Sequence, residues 1–266
     1  IAWPGLAWAK RMFPDIAESE AQTRLAEAIF MASRVNTEDP VASWKTHNQK
    51  LKEKREWLNQ KDFKEIHFKG PETDLKVGLA DDHEWMGGAS MAQNGVICNP
   101  NIPSEEVFTT PHALRVEGYV SSTKPLSHQG TLIDNIRVVF EKGSITDAKA
   151  SKGETVLKKV LESDEGARRL GEVALVPNSS PISNSGLLFY NTLFDENAAC
   201  HIALGQCYSK CFKGETNLST SEIRERGGNS SMIHIDWMIG SGEIDIDGFG
   251  KNGEIVPIFR KGEWVD

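Results

Sequence analysis

The sequence lacks the signatures that mark most hydrolytic and nucleotide-binding sites. It has no HExxH helix to present two histidines to zinc, no GxxxxGK[ST] loop to cradle phosphates and no GxSxG elbow for a nucleophilic serine. No apolar run approaches the length of a membrane span. Basic residues are outnumbered, 30 Lys and Arg against 38 Asp and Glu, and the net charge of −8 argues against a nucleic-acid surface, which needs a basic field. The charges are mixed along the chain, with no basic or acidic tail. Cysteine is scarce as well. Of the four, Cys200, Cys207 and Cys211 crowd into CHIALGQCYSKC, and Cys98 stands apart. Structural zinc sites prefer paired CxxC knuckles, so zinc held by these thiols and His201 is the weaker expectation. Reduced, partly buried thiols in a cytoplasmic protein are the stronger one. The chain opens IAWPGLAWAKRMFPD without an initiator Met, and Lys10 and Arg11 follow the apolar residues. A signal peptide has the opposite order, so the numbered chain is expected to start inside a longer protein.

What is present is an ordinary globular composition, 39% hydrophobic and 26% charged, in a chain of 266 residues. That length suits one large domain or two smaller ones. Residues 16–35 have an amphipathic helical pattern, and a second helix is expected from Asp39 or Pro40 to about Gln60, its Lys/Glu-rich face solvated. From Phe63 the period changes to two. FKEIHFKG and TDLKVGLA read as a hairpin joined at Gly70–Pro71. Beyond Gly87–Gly88 strands and turns dominate, interrupted by helices expected at about 153–161, extending toward Leu170, and at 196–211. The class is α+β: the remainder of a helical α/β N-terminal domain over residues 1–75, then a β-rich metal-binding domain over 76–266.

One strand carries unexpected polarity. In SMIHIDWMIG, residues 231–240, His234 and Asp236 interrupt an apolar run. Positions i and i+2 of a strand share a face, so these two point together while Ile233, Ile235 and Trp237 fill the other side. Their desolvation needs compensation, from a metal ion, a mutual hydrogen bond or a partner elsewhere. Other candidates are weak singly. Glu105 and Glu106 are adjacent, so on an extended segment one enters a site while the other faces solvent or a supporting partner. Glu172 at the start of VALV reads as a solvated strand end. His201 and Tyr208 fall on nearly one face of the expected helix.

Taken together, Glu106, Glu172, His201, Tyr208 and the His234/Asp236 pair resemble the metal-binding pattern of the M29 metallopeptidases. These are the thermophilic-type, cobalt- or zinc-activated leucyl aminopeptidases of bacteria. The segments NIPSEEVFTTPH, GEVALVPNSSPIS, LFYNTLFDENAACHIALGQCY and NSSMIHIDWMIG are similar to that family's signature segments. The resemblance runs from about Trp8 to the C-terminus and selects Glu106 over Glu105 by order and spacing. It implies five metal ligands, Glu106, Glu172, His201, His234 and Asp236, with Tyr208 and Glu172 in catalytic roles. It further implies a cytoplasmic homodimer, peptide substrates with a free N-terminus and an additional N-terminal region.

Three carboxylates and two imidazoles form a mixed oxygen and nitrogen set suited to Zn²⁺ or Co²⁺, with Mn²⁺ or Mg²⁺ as further possibilities. Five ligands exceed what one catalytic ion needs beside an open position, and suffice for two if one carboxylate bridges. Tyr208 is then a weak ligand or a hydroxyl donor to the tetrahedral oxyanion. The motif segments contain no basic pocket for a substrate carboxylate, which disfavours a carboxypeptidase. Two other functions stay open: a two-metal phosphoesterase, for which Arg168 and Arg169 offer a phosphate clamp, and a non-catalytic binding module tied together by metal.

Overall fold

The computed structural model describes residues 2–214 and 217–265. Three helices come first: α1 (Leu6–Met12), α2 (Glu18–Ala32) and α3 (Pro40–Lys61). In α2 the buried positions Ala21, Leu25, Ala28, Ile29 and Ala32 follow the helical repeat. Asp39 caps α3 by accepting from the Ala42 N–H, Pro40 occupies the first turn, and Asp62 ends the helix in the left-handed region at φ 49°. Both long helices lie where the pattern places them.

The strands that follow are β1 (Glu65–Gly70), β2 (Thr73–Leu79), β3 (Val107–Thr109), β4 (Pro111–Ser121), β5 (Arg137–Glu141) and β6 (Ser144–Lys149). After α4 (Glu154–Leu161) come β7 (Leu170–Leu175), β8 (His201–Gly205), β9 (His234–Met238), β10 (Asp245–Phe249), β11 (Ile255–Arg260) and β12 (Glu263–Trp264). All pairings are antiparallel. Eight strands form a large sheet in the order β6-β5-β4-β2-β1-β10-β11-β12, and four form a smaller one, β9-β8-β7-β3. The expected hairpin is present as β1–β2. It lies in the middle of the large sheet, so residue 75 falls inside β2.

The main core lies between the sheets, from Phe68 and Phe140 on the large one, with Phe63 just before β1, to Val173, Ile202 and Trp237 on the small one. A separate cluster joins α1 and α2 to Ile182, Phe189 and Phe194. Among the described residues no helix is long and apolar enough to cross a membrane.

Two expected helices are shorter or absent. After α4 the chain does not continue helically to Leu170. The Asp164 carboxylate caps a 3-10 turn at the Ala167 N–H and also accepts from the Ser231 hydroxyl and the Met232 N–H, tying this turn to the lead-in of β9. The 196–211 segment contains two 3-10 turns flanking β8. Ala, Leu and Gln favour a helix there locally. However, residues 201–205 are buried throughout and bond to β7 on one side and β9 on the other, and that pairing overrides propensity.

Candidate metal centre

The period of two gathers the acidic and imidazole side chains on one face of the small sheet. Ala203 pairs with Glu172 on β7 and with Asp236 on β9, and His201 and His234 each lie two residues from a member of that row. On β3, Phe108 pairs with Ala174, which puts Glu106, two residues earlier, on this face as well. The sequence HIALG thus shows His201, Ala203 and Gly205 to the site and buries Ile202 and Leu204 in the core. Ala203 keeps the centre of the face open. Gly205 is required for a different reason: at φ 100° it lies in the region L-residues avoid, and a Cβ would meet the Ile233 carbonyl at 2.1 Å.

Two groups of potential ligands result, Glu106/Glu172/His201 and Glu172/His234/Asp236, each with donor atoms within 4.8 Å of one another. Glu172 belongs to both. His201 Nε2 lies 3.1 Å from Glu106 Oε2 and 3.9 Å from Glu172 Oε1, while His234 Nε2 lies 3.5 Å from Glu172 Oε2 and 3.4 Å from Asp236 Oδ1. The ring orientations are fixed from behind. His201 Nδ1 donates to the Ala199 carbonyl at 3.1 Å and His234 Nδ1 to the Gln206 carbonyl at 2.7 Å. A carbonyl can only accept, so in the neutral rings Nδ1 carries the proton and Nε2 offers its lone pair to the cavity, the arrangement typical of metal-binding histidines.

Sequence reasoning missed Glu196, because a helix start there gave no reason to aim it inward. It lines the same cavity as Glu172 and Asp236. Four carboxyl groups therefore face two imidazoles, and the electrostatics reflect the imbalance. Burial first, then the charges of Glu106 and Asp236, push the Glu172 and Glu196 carboxyls well above the usual carboxylate range. Burial pulls the His201 imidazole down, but the hydrogen bond and charge of Glu106, with Asp236 and Glu196, outweigh it and hold it at about 10. For His234 likewise burial is outweighed by the bond to Asp236, and the ring is raised. A divalent cation would relieve all four shifts at once, and the donor set is of the mixed type that zinc and cobalt accept.

Glu172 is thus no solvated strand end; it is 4% exposed within a strand. Tyr208 reaches the cavity without a helix, its ring 4.8 Å from that of His234. The adjacent glutamates divide as their alternation requires. Glu105 turns away from the site and is gripped by Arg34, at 2.5 and 2.8 Å to its two oxygens. The His47 ring stands 3.5 Å from Glu105 and bonds the Ser104 carbonyl at 2.7 Å, and Asn197 Oδ1 accepts from the Glu105 N–H. This clamp, from the turn after α2 and from α3, fixes the backbone that delivers Glu106. Gly87 allows the opposing loop to close over it, since a Cβ there would meet the Glu106 carbonyl at 2.5 Å.

Other candidates stand elsewhere. Arg168 and Arg169 do not line this cavity: they bond the carbonyls of Ile145 and of Ala113 and Lys142. The thiols of Cys200, Cys207 and Cys211 are buried and free, and neither ligand group includes a cysteine. Burial pushes Cys200 up to about 12 and Cys207 up to about 11.

Aminopeptidase T of Thermus aquaticus is 54% identical over 265 residues, covering all of this chain and 64% of that protein. Aminopeptidase 2 of Geobacillus stearothermophilus is 48% identical with the same coverage. The solved structure of wild-type AmpT from Thermus thermophilus matches with a TM-score of 0.92 at 51% identity, over 100% of this chain and 64% of that one. A 2,5-dihydroxypyridine dioxygenase from Pseudomonas putida, with a TM-score of 0.54 at 15% identity, shares the fold alone. The chain spans about 64% of the length of the curated aminopeptidases cited. A model of the thermophilic metalloprotease family, M29, matches residues 1–264, and the chain belongs to that family.

Proposed function

We propose that the chain carries the catalytic centre of a metal-dependent aminopeptidase, releasing N-terminal residues from peptides. The observation that carries this reading is Glu172, whose Oε1 faces His201 and whose Oε2 faces His234. Glu106, Glu172 and His201 would hold one divalent ion, and Glu172, His234 and Asp236 a second, with zinc or cobalt preferred over manganese or magnesium. When bound, such a pair supplies an activated water and Lewis acidity toward the scissile carbonyl.

The chain's own side chains do the rest. The two Nδ1–H bonds keep the imidazoles aimed at the cavity, and the Arg34–Glu105 clamp keeps Glu106 there. Glu172 is the catalytic carboxylate common to both halves. Glu196 adds a fourth carboxylate to the cavity wall, which would help hold an ion or accept a proton there. The Tyr208 hydroxyl donates to the oxyanion of the tetrahedral intermediate. A free α-amine held at this centre places the first peptide bond over the reacting atoms.

The helices before β1 are the remainder of an N-terminal α/β domain and the two sheets are the metallopeptidase domain. A division near the α3–β1 turn, a little before residue 75, is the one we favour, and the place of β1 and β2 within the large sheet supports it. The working form is a cytoplasmic homodimer acting on peptides. The test is assay of the metal-loaded protein on Leu-p-nitroanilide, an aryl phosphate and an N-acetylated peptide side by side. Cleavage of the anilide alone supports the aminopeptidase. Phosphate release would establish the phosphoesterase instead, internal cleavage of the acetylated peptide an endopeptidase, and no turnover at all a binding module.

A further inference from the structure

Two permanent cations stand in the wall of the acidic cavity, and neither pairs with its carboxylates. Arg55, from α3, and Lys210, two residues beyond Tyr208, line the same space as Glu172 and His234. Arg55 donates to the Gly87 carbonyl at 3.3 Å. The Lys210 ammonium lies over the rings of Phe108 and Tyr208, 4.9 and 5.0 Å from their centroids. Among the described residues neither has a carboxylate within ion-pair distance; Glu106, Glu172 and Asp236 face the imidazoles instead. With two divalent cations balancing the four carboxylates, Arg55 and Lys210 remain as uncompensated positive charge facing a partly enclosed space. There an anion is attracted more strongly than in bulk water.

We propose that Lys210 and Arg55 form a carboxylate subsite that selects di- and tripeptides by their free C-terminus. The inference rests on the aminopeptidase reading, which fixes the α-amine at the centre and leaves the C-terminal carboxylate as the one charge of a small zwitterionic peptide still without a partner. The reach fits. The Tyr208 ring is 4.8 Å from that of His234 and 5.0 Å from the Lys210 ammonium, so the ammonium lies within about 10 Å of the His234 ring. Two or three extended residues span about 7–10 Å. The motif segments show no basic pocket because its two members come from distant stretches, one on a helix whose charges read as a solvated face.

The test compares Leu-Gly and Leu-Gly-Gly with their C-terminal amides, using the metal-loaded protein, with Leu-p-nitroanilide as a substrate that has no carboxylate. The free acids are expected to exceed the amides in kcat/KM by about tenfold or more, mainly through KM, the scale of one charge-assisted hydrogen bond. In Lys210→Met the acid-to-amide ratio falls toward 1 at unchanged metal content, and Lys210→Arg restores it. Wild-type protein that cleaves acids and amides equally overturns the subsite, as does a Lys210→Met protein that keeps the wild-type ratio. If Leu-p-nitroanilide itself is not cleaved, the aminopeptidase reading fails and the subsite falls with it; cleavage of the anilide with a ratio of 1 removes the subsite alone.

Discussion

Replacing Glu172 by Gln separates the cost of this site from its use, because the two have opposite signs. In the metal-free protein Glu172 is buried on the same face as Glu106 and Asp236, and both burial and those charges push its carboxyl up. The amide has nearly the same shape and no charge, so it removes this repulsion while keeping a group able to bond Nε2 of either histidine. Relief of one poorly compensated buried polar group is worth about 1–3 kcal/mol. For a chain of this size that is a rise in Tm of about 2–4 °C per kcal/mol. With metal the sign reverses. The substituted amide cannot supply a charged oxygen to each of the two donor groups that share this position. An ion bound only by the folded state, at 100 times its Kd, contributes about 2.7 kcal/mol. The variant should therefore lose most of the metal-induced rise in Tm along with its turnover. Thermal scans of wild-type and Glu172→Gln protein, each with chelator and with excess cobalt, read both effects. A variant less stable than wild type with chelator, yet gaining the full wild-type increment with cobalt, would refute the reasoning.

Three further outcomes follow from the geometry. Tyr208→Phe should lower kcat by about 10²–10³ with metal content unchanged, the range for loss of one oxyanion donor; loss of an ion would make the tyrosine a ligand, and full activity would make it a packing residue. Arg34→Met leaves the Glu105 carboxylate buried without its guanidinium and should destabilise the protein by about 3–5 kcal/mol, as breaking a buried pair does, while weakening metal binding measured by calorimetry; unchanged metal affinity would show that the clamp does not position Glu106. In metal-free protein, the stability contributed by Asp195 and His201 should fall as pH rises, against an opposite trend from His47, His83, His112 and His128, whose imidazoles burial pulls down. Asp195, pushed up to about 6 chiefly by burial, and His201, held at about 10, both bind protons more tightly folded than unfolded, so their contributions are complete at low pH and are lost as pH passes those values. Metal affinity should rise over the same range because the ligands must deprotonate, and an affinity that falls from pH 5 to 8 would contradict this assignment.

Much of this fold and site was legible in the sequence where a long period or a chain of spacings carried it. The helices α2 and α3 are 15 and 22 residues long with consistent apolar faces, and the β1–β2 alternation breaks at a proline turn. His234 and Asp236 declare themselves by polarity on an apolar strand, and Glu105 and Glu106 by their enforced opposition. β8 was not legible. Five residues rich in Ala and Leu carry no period, and what makes HIALG a strand is the partner on each side, Glu172 and its neighbours on β7 and Asp236 and its neighbours on β9. The same gap hid Glu196, and with it the charge imbalance that argues for a cation. Glu172 looked like a strand end because its burial comes from β3 and β8, far from it in sequence. Arg55 and Lys210 were invisible as a pair for the same reason.

The central claim, two ions sharing Glu172, is tested most directly by anomalous diffraction from crystals of this protein grown with Co²⁺. Two peaks about 3.5–4 Å apart are expected, one contacting Glu106 and His201, the other His234 and Asp236, with Glu172 between them. A single peak, or a second ion that does not touch Glu172, would contradict it.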